Sequence, residues 1–346
     1  MMINIFTDPH LNVSRQAHTT GDSSKRLNQR LFQKAMECKH PIHQNFIAGD
    51  LFDKAFNPEW AVIQGMQVAE GCEVLAGNHD ETNREGTMCS LQVVEEAGNC
   101  KVIRNKKVSG VYWEVGKSGV YLVPHHSSQE LFVKALMEAK EDAEDVENPT
   151  LMVHCNRGEI MGPSPDSILV ISKELEEELL TTFKRIFYGH EHDSHTNKAE
   201  GKVVTSRAVV LGNTHPTSFS DISDKYRYEY CTETDQLTRV KVWDKSQHYL
   251  KLEIGQPIPE DSQLEFIEVV GLSSRQEAMN YVSKVWEVNP QAFMVRSNVQ
   301  YAEETVLEVT VDEPMNLAEA ISKDLEDTNM KDLFSELLKE VNHGTN

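Results

Sequence analysis

Apolar residues in the first 250 positions come in short runs, and most runs end where polar residues take over. Ile3, Ile5 and Thr7 alternate with their neighbours and stop at Asp8-Pro9-His10, which predicts a strand running into a loop. Over residues 25–39, Leu27, Leu31 and Ala35 recur at helical spacing, with Phe32 and Met36 beside them. Asn45-Phe46-Ile47-Ala48 predicts a strand that ends at Gly49-Asp50. Asn57-Pro58 predicts an N-cap followed by proline at the first helical position, and Trp60, Val62, Ile63, Met66 and Ala69 give that helix an apolar face. Residues 72–76 predict a further strand, closed by Gly77-Asn78-His79-Asp80. The pattern recurs at 120–123 before Pro124-His125-His126, at 150–153 before His154, and at 185–188 before Gly189-His190-Glu191-His192. This order predicts a layered α/β fold, in which loops beyond the carboxyl ends of strands converge on a ligand site.

The character changes near residue 250. Residues 264–270 alternate like a strand, 274–286 predict an amphipathic helix, and 292–296 and 305–309 predict further strands, together a small α+β unit. Beyond Pro314, residues 317–325 and 330–341 predict two short helices. The second carries Leu333, Phe334, Leu337 and Leu338 on one stripe, to pack on its own domain or dock into a partner. Three parts are therefore expected: 1–250, 251–313 and 314–346.

Composition narrows the class. The chain has 346 residues, 39% of them hydrophobic, which excludes a wholly disordered or collagen-like protein. No run approaches the ~18 apolar residues of a membrane span, and the N-terminus lacks the basic region of a signal peptide. Six cysteines with no C-x-x-C pair are expected to be reduced thiols in a cytoplasmic protein. The formal net charge is −21, and residues 251–346 hold 19 acids against 7 bases. Such a field does not hold nucleic acid, so any DNA contact must come from a local basic patch, a bound metal or a partner. Lys25, Arg26, Arg30, Arg104, Lys106, Lys107 and Arg157 are the candidate bases. The acidic stretches 138–147 and 173–178 are expected as solvated surface.

Five motifs carry candidate chemistry: Asp8-x-His10, Gly49-Asp50-x-x-Asp53, Gly77-Asn78-His79-Asp80, the isolated His154, and Gly189-His190-x-His192. Carboxylate, imidazole and amide oxygen are the donors a hard-to-borderline divalent cation prefers. At a strand end, D-x-H and H-x-H are expected to point both side chains the same way, since residues i and i+2 share a face. Two such pairs with Asp50 and Asn78 supply ligands for two cations, and the glycines are expected to let the chain turn at each strand end. His125, His126, His195 and His215 match no ligand position and are expected on the surface, with substrate contact the lesser reading and His215, in the Gly212 loop, the foremost candidate for it.

As a set, these motifs resemble the calcineurin-like metallophosphoesterases, over a little more than half of the chain. The resemblance implies a four-layer α/β/β/α sandwich. It also implies ligand roles: Asp8, His10 and His192 for a first metal, Asn78, His154 and His190 for a second, and Asp50 as the bridge. His79 takes the place of the histidine that assists the leaving oxygen, and Asp53 is expected to orient His79 or a ligand. A second resemblance is to the SbcD-type DNA double-strand-break nucleases. It rests on Asp8-Pro9-His10-Leu11, on Gly49-Asp50-Leu51-Phe52-Asp53 and on Gly212-Asn213-Thr214-x-x-x-Ser218-Phe219-Ser220-Asp221, together with the layout of cap and terminal helices. It implies Mn²⁺- or Mg²⁺-dependent exonuclease or endonuclease action on DNA, a homodimer, and docking of the terminal helices onto an SbcC-like coiled-coil ATPase. The compact size suits the recombination-endonuclease subunits of bacteriophages, acting in the host bacterial cytoplasm. A small-molecule phosphodiesterase or a protein phosphatase on the same fold is the alternative.

Overall fold

The computed structural model describes residues 1–14, 18–81, 88–98, 100–105, 111–159, 167–193 and 203–301. Two sheets face each other. The first contains β1 (Met2–Phe6), β2 (Gln44–Ile47), β3 (Cys72–Leu75), β4 (Lys101–Ile103), β12 (Lys225–Cys231) and β13 (Gln236–Trp243), in the order β13-β12-β1-β2-β3-β4. The second contains β5 (Glu114–Val115), β6 (Val120–Val123), β7 (Thr150–His154), β10 (Arg185–Gly189) and β11 (Ala208–Val210), in the order β11-β10-β7-β6-β5. Between β7 and β10 the short strands β8 (Asn156–Arg157) and β9 (Val170–Ile171) pair with each other. From β1 to β4 and from β6 to β11 the neighbours run parallel.

Alternation along the strands makes four layers. Ile3, Ile5, Phe46 and Leu75 of the first sheet meet Leu122, Met152, Phe187 and Val209 of the second in one core. Their sequence neighbours point the other way. Phe6, Ile47 and Val74 pack under α1 (Gly21–Cys38), α2 (Glu59–Ala69) and α3 (Ser90–Glu96). Leu151, Val153, Ile186 and Tyr188 pack under α4 (Gln129–Asp142) and α5 (Lys173–Leu179). Burial on both faces is why these strands read as continuous apolar runs.

Two helix starts differ from expectation. α1 begins at Gly21 because Thr20 Oγ1 accepts from Ser23 N at 3.1 Å and Ser23 Oγ accepts from Thr20 N at 2.7 Å, a capping box ahead of the apolar period. In α2, Pro58 rather than Asn57 is the cap residue; the Asn57 amide instead donates to Lys54 O at 2.6 Å and Ser90 Oγ at 3.1 Å. The acids of 138–147 are exposed around buried Ala139 and Ala143. In 173–178 one acid breaks the solvated pattern: Glu176 accepts from Arg157 at 2.6 and 2.9 Å and from the Tyr188 hydroxyl at 2.9 Å.

After the one-turn α6 (Lys245–His248) comes the α+β unit. It has β14 (Tyr249–Glu253), β15 (Phe266–Ser273) and β16 (Met294–Tyr301) in the order β14-β15-β16, with α7 (Arg275–Val288). It has its own core, including Leu252, Ile267, Val269, Ala278, Val285 and Val295. A second cluster joins it to the sandwich: Val13, Leu27 and Leu31 meet Trp243, Phe266 and Phe293. The segments expected at 305–309, 317–325 and 330–341 lie outside the described residues, as do Lys106, Lys107 and His195. None of the six cysteines is paired. Among the described residues no helix is long and apolar enough to cross a membrane.

Candidate metal centre

The five motifs come together at the carboxyl ends of β1, β2, β3, β7 and β10. Asp8 (φ 52°), His10 (φ 45°), Asp50 (φ 49°) and His190 (φ 88°) all lie in the left-handed region. That conformation costs about 1–3 kcal/mol per residue and persists only where the surroundings fix it. Here the loops pin one another: Asp8 N donates to Gly49 O at 3.0 Å, His10 N to Asp50 O at 3.1 Å and Leu11 N to Leu51 O at 3.0 Å. The glycines serve two purposes. Gly49 is itself left-handed (φ 112°), and a side chain there would fall inside the His154 ring. Gly77 has no positive φ, so the expected turn is not its purpose; a Cβ there would collide with the Asp50 carboxylate.

Three groups of donors result among the described residues: Asp8, His10 and His192; Asp50, His154 and His190; and His10, Asp53 and His79, which shares His10 with the first. In the first, His10 Nε2 lies 2.8 Å from His192 Nε2 and 3.7 Å from Asp8 Oδ1. Asp8 Oδ2 accepts from Thr7 Oγ1 at 2.6 Å and His190 N at 3.2 Å, while buried Asp8 Oδ1 has no hydrogen-bond partner among the described residues. In the second, His154 Nε2 lies 3.2 Å from Asp50 Oδ2, and Asn78 Oδ1 faces both His154 Nε2 and His190 Nδ1 at 3.1 Å. Asp50 Oδ2 is also 3.9 Å from His10 Nε2, which puts this carboxylate between the groups. An orphaned carboxylate oxygen and two facing imidazole nitrogens are what a divalent cation would satisfy. The remaining ring nitrogens are anchored: His154 Nδ1 faces Ala48 O at 2.9 Å and His192 Nδ1 faces Asp221 Oδ2 at 3.3 Å, fixing which nitrogen points inward.

The charges reinforce one another. Burial works to raise the Asp8 pKa, but the His10 and His154 imidazoles overcome it and lower it to about 2. Asp50 is likewise held well below its usual value, against burial, by the charge of His154 and a hydrogen bond from it. Burial pulls His154 down, and the Asp50 carboxylate more than reverses this, to about 10.

A family model for calcineurin-like phosphoesterases matches residues 1–194, more than half of the chain. The chain belongs to that family. No curated protein matches it. The family hydrolyses phosphoesters with divalent metals, and the donor groups of this phosphoesterase can hold such ions.

His79 and Asp53 meet through the main chain: His79 Nδ1 faces the Asp53 carbonyl at 2.8 Å. The Asp53 carboxylate instead lies 3.7 Å from His10 Nδ1. Burial lowers the His79 pKa, but Asp50 and the Asp53 carbonyl outweigh it and leave it raised.

Sequence reasoning gave Asp80 no role. Its buried carboxylate accepts from Leu51 N at 3.2 Å, Phe52 N at 3.0 Å and Gly77 N at 3.0 Å, tying the Asp50 loop to the Asn78 loop. Asp221 was legible only as part of a family motif, and it is the residue that meets His192. Three histidines expected on the surface are not there. His126 is a core residue, accepting from Tyr112 N at 3.2 Å and facing Pro124 O at 2.7 Å. His215 is fully buried. His125 is partly buried beside the second donor group, where burial and the His154 charge push its imidazole down to about 4. Four of the candidate bases are engaged within the chain: Arg26 with Pro290 O and Ala292 O, Arg30 with Glu265, Arg104 with Glu95 and Arg157 with Glu176.

Proposed function

We propose that this phosphoesterase is a DNA nuclease that cleaves phosphodiesters with two divalent cations, Mn²⁺ before Mg²⁺, as exonuclease, endonuclease or both. In this reading Asp8, His10 and His192 hold one cation and Asn78, His154 and His190 the other, with Asp50 shared. When bound, the cations activate water and neutralise charge on the phosphoryl oxygens. With no cation bound, the surrounding imidazoles lower the Asp8 and Asp50 pKa values against burial, and bound cations would favour the same ionised carboxylates. His79 supplies the proton for the leaving oxygen. Its Nδ1–H is directed to the Asp53 carbonyl, which leaves Nε2 as the atom that carries the transferable proton.

The observation that carries the DNA reading is a groove next to Asp193, the residue after His192. It holds about 800 Å³ and is lined by Tyr226, Arg239, Lys241, Lys245 and Tyr249 together with Asp193, Asp224 and Asp244, and Lys241 pairs with Asp224 at 2.8 Å and Asp244 at 3.1 Å. The Arg239 guanidinium stacks 4.4 Å from the Tyr226 ring centroid and the Lys245 ammonium lies 5.0 Å from that of Tyr249. Aromatic faces interleaved with cations suit the bases and backbone of a single strand. The three carboxylates offset the three cations in charge, so the groove supports the DNA reading by its stacking faces with Arg239 and Lys245 and not by net positive charge. Pairing of two copies is supported by α2, where Trp60 and Ile63 remain 47% and 55% exposed with Phe56 nearby at 42%. Docking to an SbcC-like coiled-coil ATPase rests on the helical spacing of apolar positions in the sequence of 330–341, and action in recombination or repair follows from that partner.

The test is nucleotide release from an end-labelled linear duplex with Mn²⁺, wild type beside Asp50→Asn. Release by the wild type alone is the expected result. No release from a preparation that binds two cations and cleaves a small phosphodiester would replace the DNA reading with the small-molecule one.

A further inference from the structure

We infer that the α+β cap sets the geometry of the His192 end of the metal centre, and that His215 is the positioning residue joining the two. The inference rests on His192 being a ligand, as proposed above. Residues 212–221 form a loop whose Asn213, Thr214, His215, Thr217 and Asp221 are all buried, unusual for a segment with so little regular structure. Its lower end grips His192 at two points. Asp221 Oδ2 lies 3.3 Å from His192 Nδ1, and Asn213 N donates to His192 O at 3.1 Å. The same Asp221 carboxylate accepts from Asn213 Nδ2 at 2.8 Å, Thr217 N at 2.9 Å and Ser218 N at 2.9 Å, so loop and ligand move together.

The upper end of the loop belongs to the cap. Fully buried His215 directs Nδ1 to Pro216 O at 2.7 Å and Nε2 to Glu265 Oε2 at 2.9 Å. Glu265 immediately precedes β15. Its carboxylate also accepts from Trp243 Nε1 at 2.6 Å and Arg30 Nε at 2.8 Å, and its carbonyl accepts from Phe293 N at 2.8 Å. His215 packs between Trp243, Phe266 and Phe293, with ring centroids 5.8 to 6.1 Å away. A tilt of the cap must therefore displace His215. Asn213 and Asp221 flank it in a buried loop with little room to absorb the shift, so it reaches His192. Trp243 offers a built-in control, since it bonds the same carboxylate without belonging to the loop.

The experiment is titration of the full-length chain with Mn²⁺ alone by calorimetry, alongside thermal unfolding. His215→Phe is expected to weaken one of two Mn²⁺ sites by about tenfold, as the loss of an outer-shell support does. Trp243→Phe, with a comparable drop in Tm, is expected to leave both sites at wild-type affinity. His215→Gln, which can still donate to Glu265, is expected to recover part of the loss. Two wild-type sites unchanged in a folded His215→Phe chain would overturn the coupling alone, as would equal weakening by Trp243→Phe. Fewer than two sites in the wild type would overturn the metal reading and the coupling with it. Should His215→Phe not fold, His215→Gln and Glu265→Gln take its place, and wild-type affinity in both overturns the coupling.

Discussion

The metal face and the cap are built by opposite rules. At the ends of β1, β2 and β10, four polar residues are held left-handed, buried carboxylates crowd against imidazoles, and glycines leave room for neighbouring side chains. In the cap, strands and helix are regular, α7 opens with a capping box, and a small apolar core closes the unit. Regular structure needs only local consistency. The metal face gives that up to gather negative and donor atoms, and it is stable only because main-chain hydrogen bonds between loops, and the Asp80 carboxylate, hold it from outside.

The largest effect should come from breaking the chemistry while leaving the frame. His79→Asn is expected to lower kcat on a phosphodiester by about 10²- to 10⁴-fold, the range for a lost general acid. Two Mn²⁺ sites and an unchanged Tm should remain, by calorimetry and thermal unfolding. Loss of metal in that variant would make His79 a ligand.

The seam between the regions should respond to acid. Burial works to raise the Glu265 pKa, but His215, Arg30 and Trp243 outweigh it and take it from 4.5 to about 2, with His248 Nδ1 a more distant neighbour at 3.9 Å. A depressed carboxylate contributes stability that is complete above the unfolded value and lost as pH falls through the folded one. About 3 kcal/mol should therefore disappear between roughly pH 5 and pH 2. Denaturant unfolding at several pH values should show a shallower acid loss in Glu265→Gln than in wild type; parallel curves would remove Glu265 from the account.

A glycine pair then separates crowding from backbone conformation. Gly49 (φ 112°) and Gly255 (φ 88°) are both left-handed, but a Cβ on Gly49 would strike His154, whereas a Cβ on Gly255 would meet open space. Gly255→Ala should cost about 1–2 kcal/mol for backbone strain alone. Gly49→Ala should cost about 1–3 kcal/mol more for overpacking and should also lose Mn²⁺. Equal costs would mean that the His154 ring yields freely.

The sandwich and the donor set were legible because both leave a one-dimensional trace. Strands buried on both faces read as apolar runs, and each donor residue sits where such a run stops. What supports the donors leaves no such trace. Asp80 acts on main-chain N–H groups 25 or more positions away in the Asp50 loop, and those groups belong to residues of any type. His215 reads as surface because polarity in sequence does not reveal a buried acceptor across the fold, and His126 because a polar loop does not show that it is enclosed, even with partners as near as Pro124 O and Tyr112 N. Arg26 and Arg30 read as bases for DNA, but they satisfy carbonyls and a carboxylate at the cap seam. The start of α1 was missed because its first turn is polar and only the Thr20–Ser23 pair marks it.

The smallest expected effect tests whether the cap acts on the metal face through the His215 seam or through its overall rigidity. Ser274 Oγ accepts from Glu277 N at 3.3 Å, and Glu277 Oε2 accepts in return from Ser274 N at 3.3 Å. Ser274→Ala removes one acceptor for the orphan N–H groups of α7 and should cost about 1 kcal/mol. The loss is modest because water reaches this exposed helix end and takes the vacated place. α7 packs by Ala278 and Val285 into the cap's own core, not against His215 or Glu265. Looser capping should thus lower Tm slightly and leave Mn²⁺ affinity and kcat at wild-type values. A drop in metal affinity from Ser274→Ala would mean that the cap's overall rigidity reaches the metal face, and the division between a regular cap and a separately braced site would no longer hold.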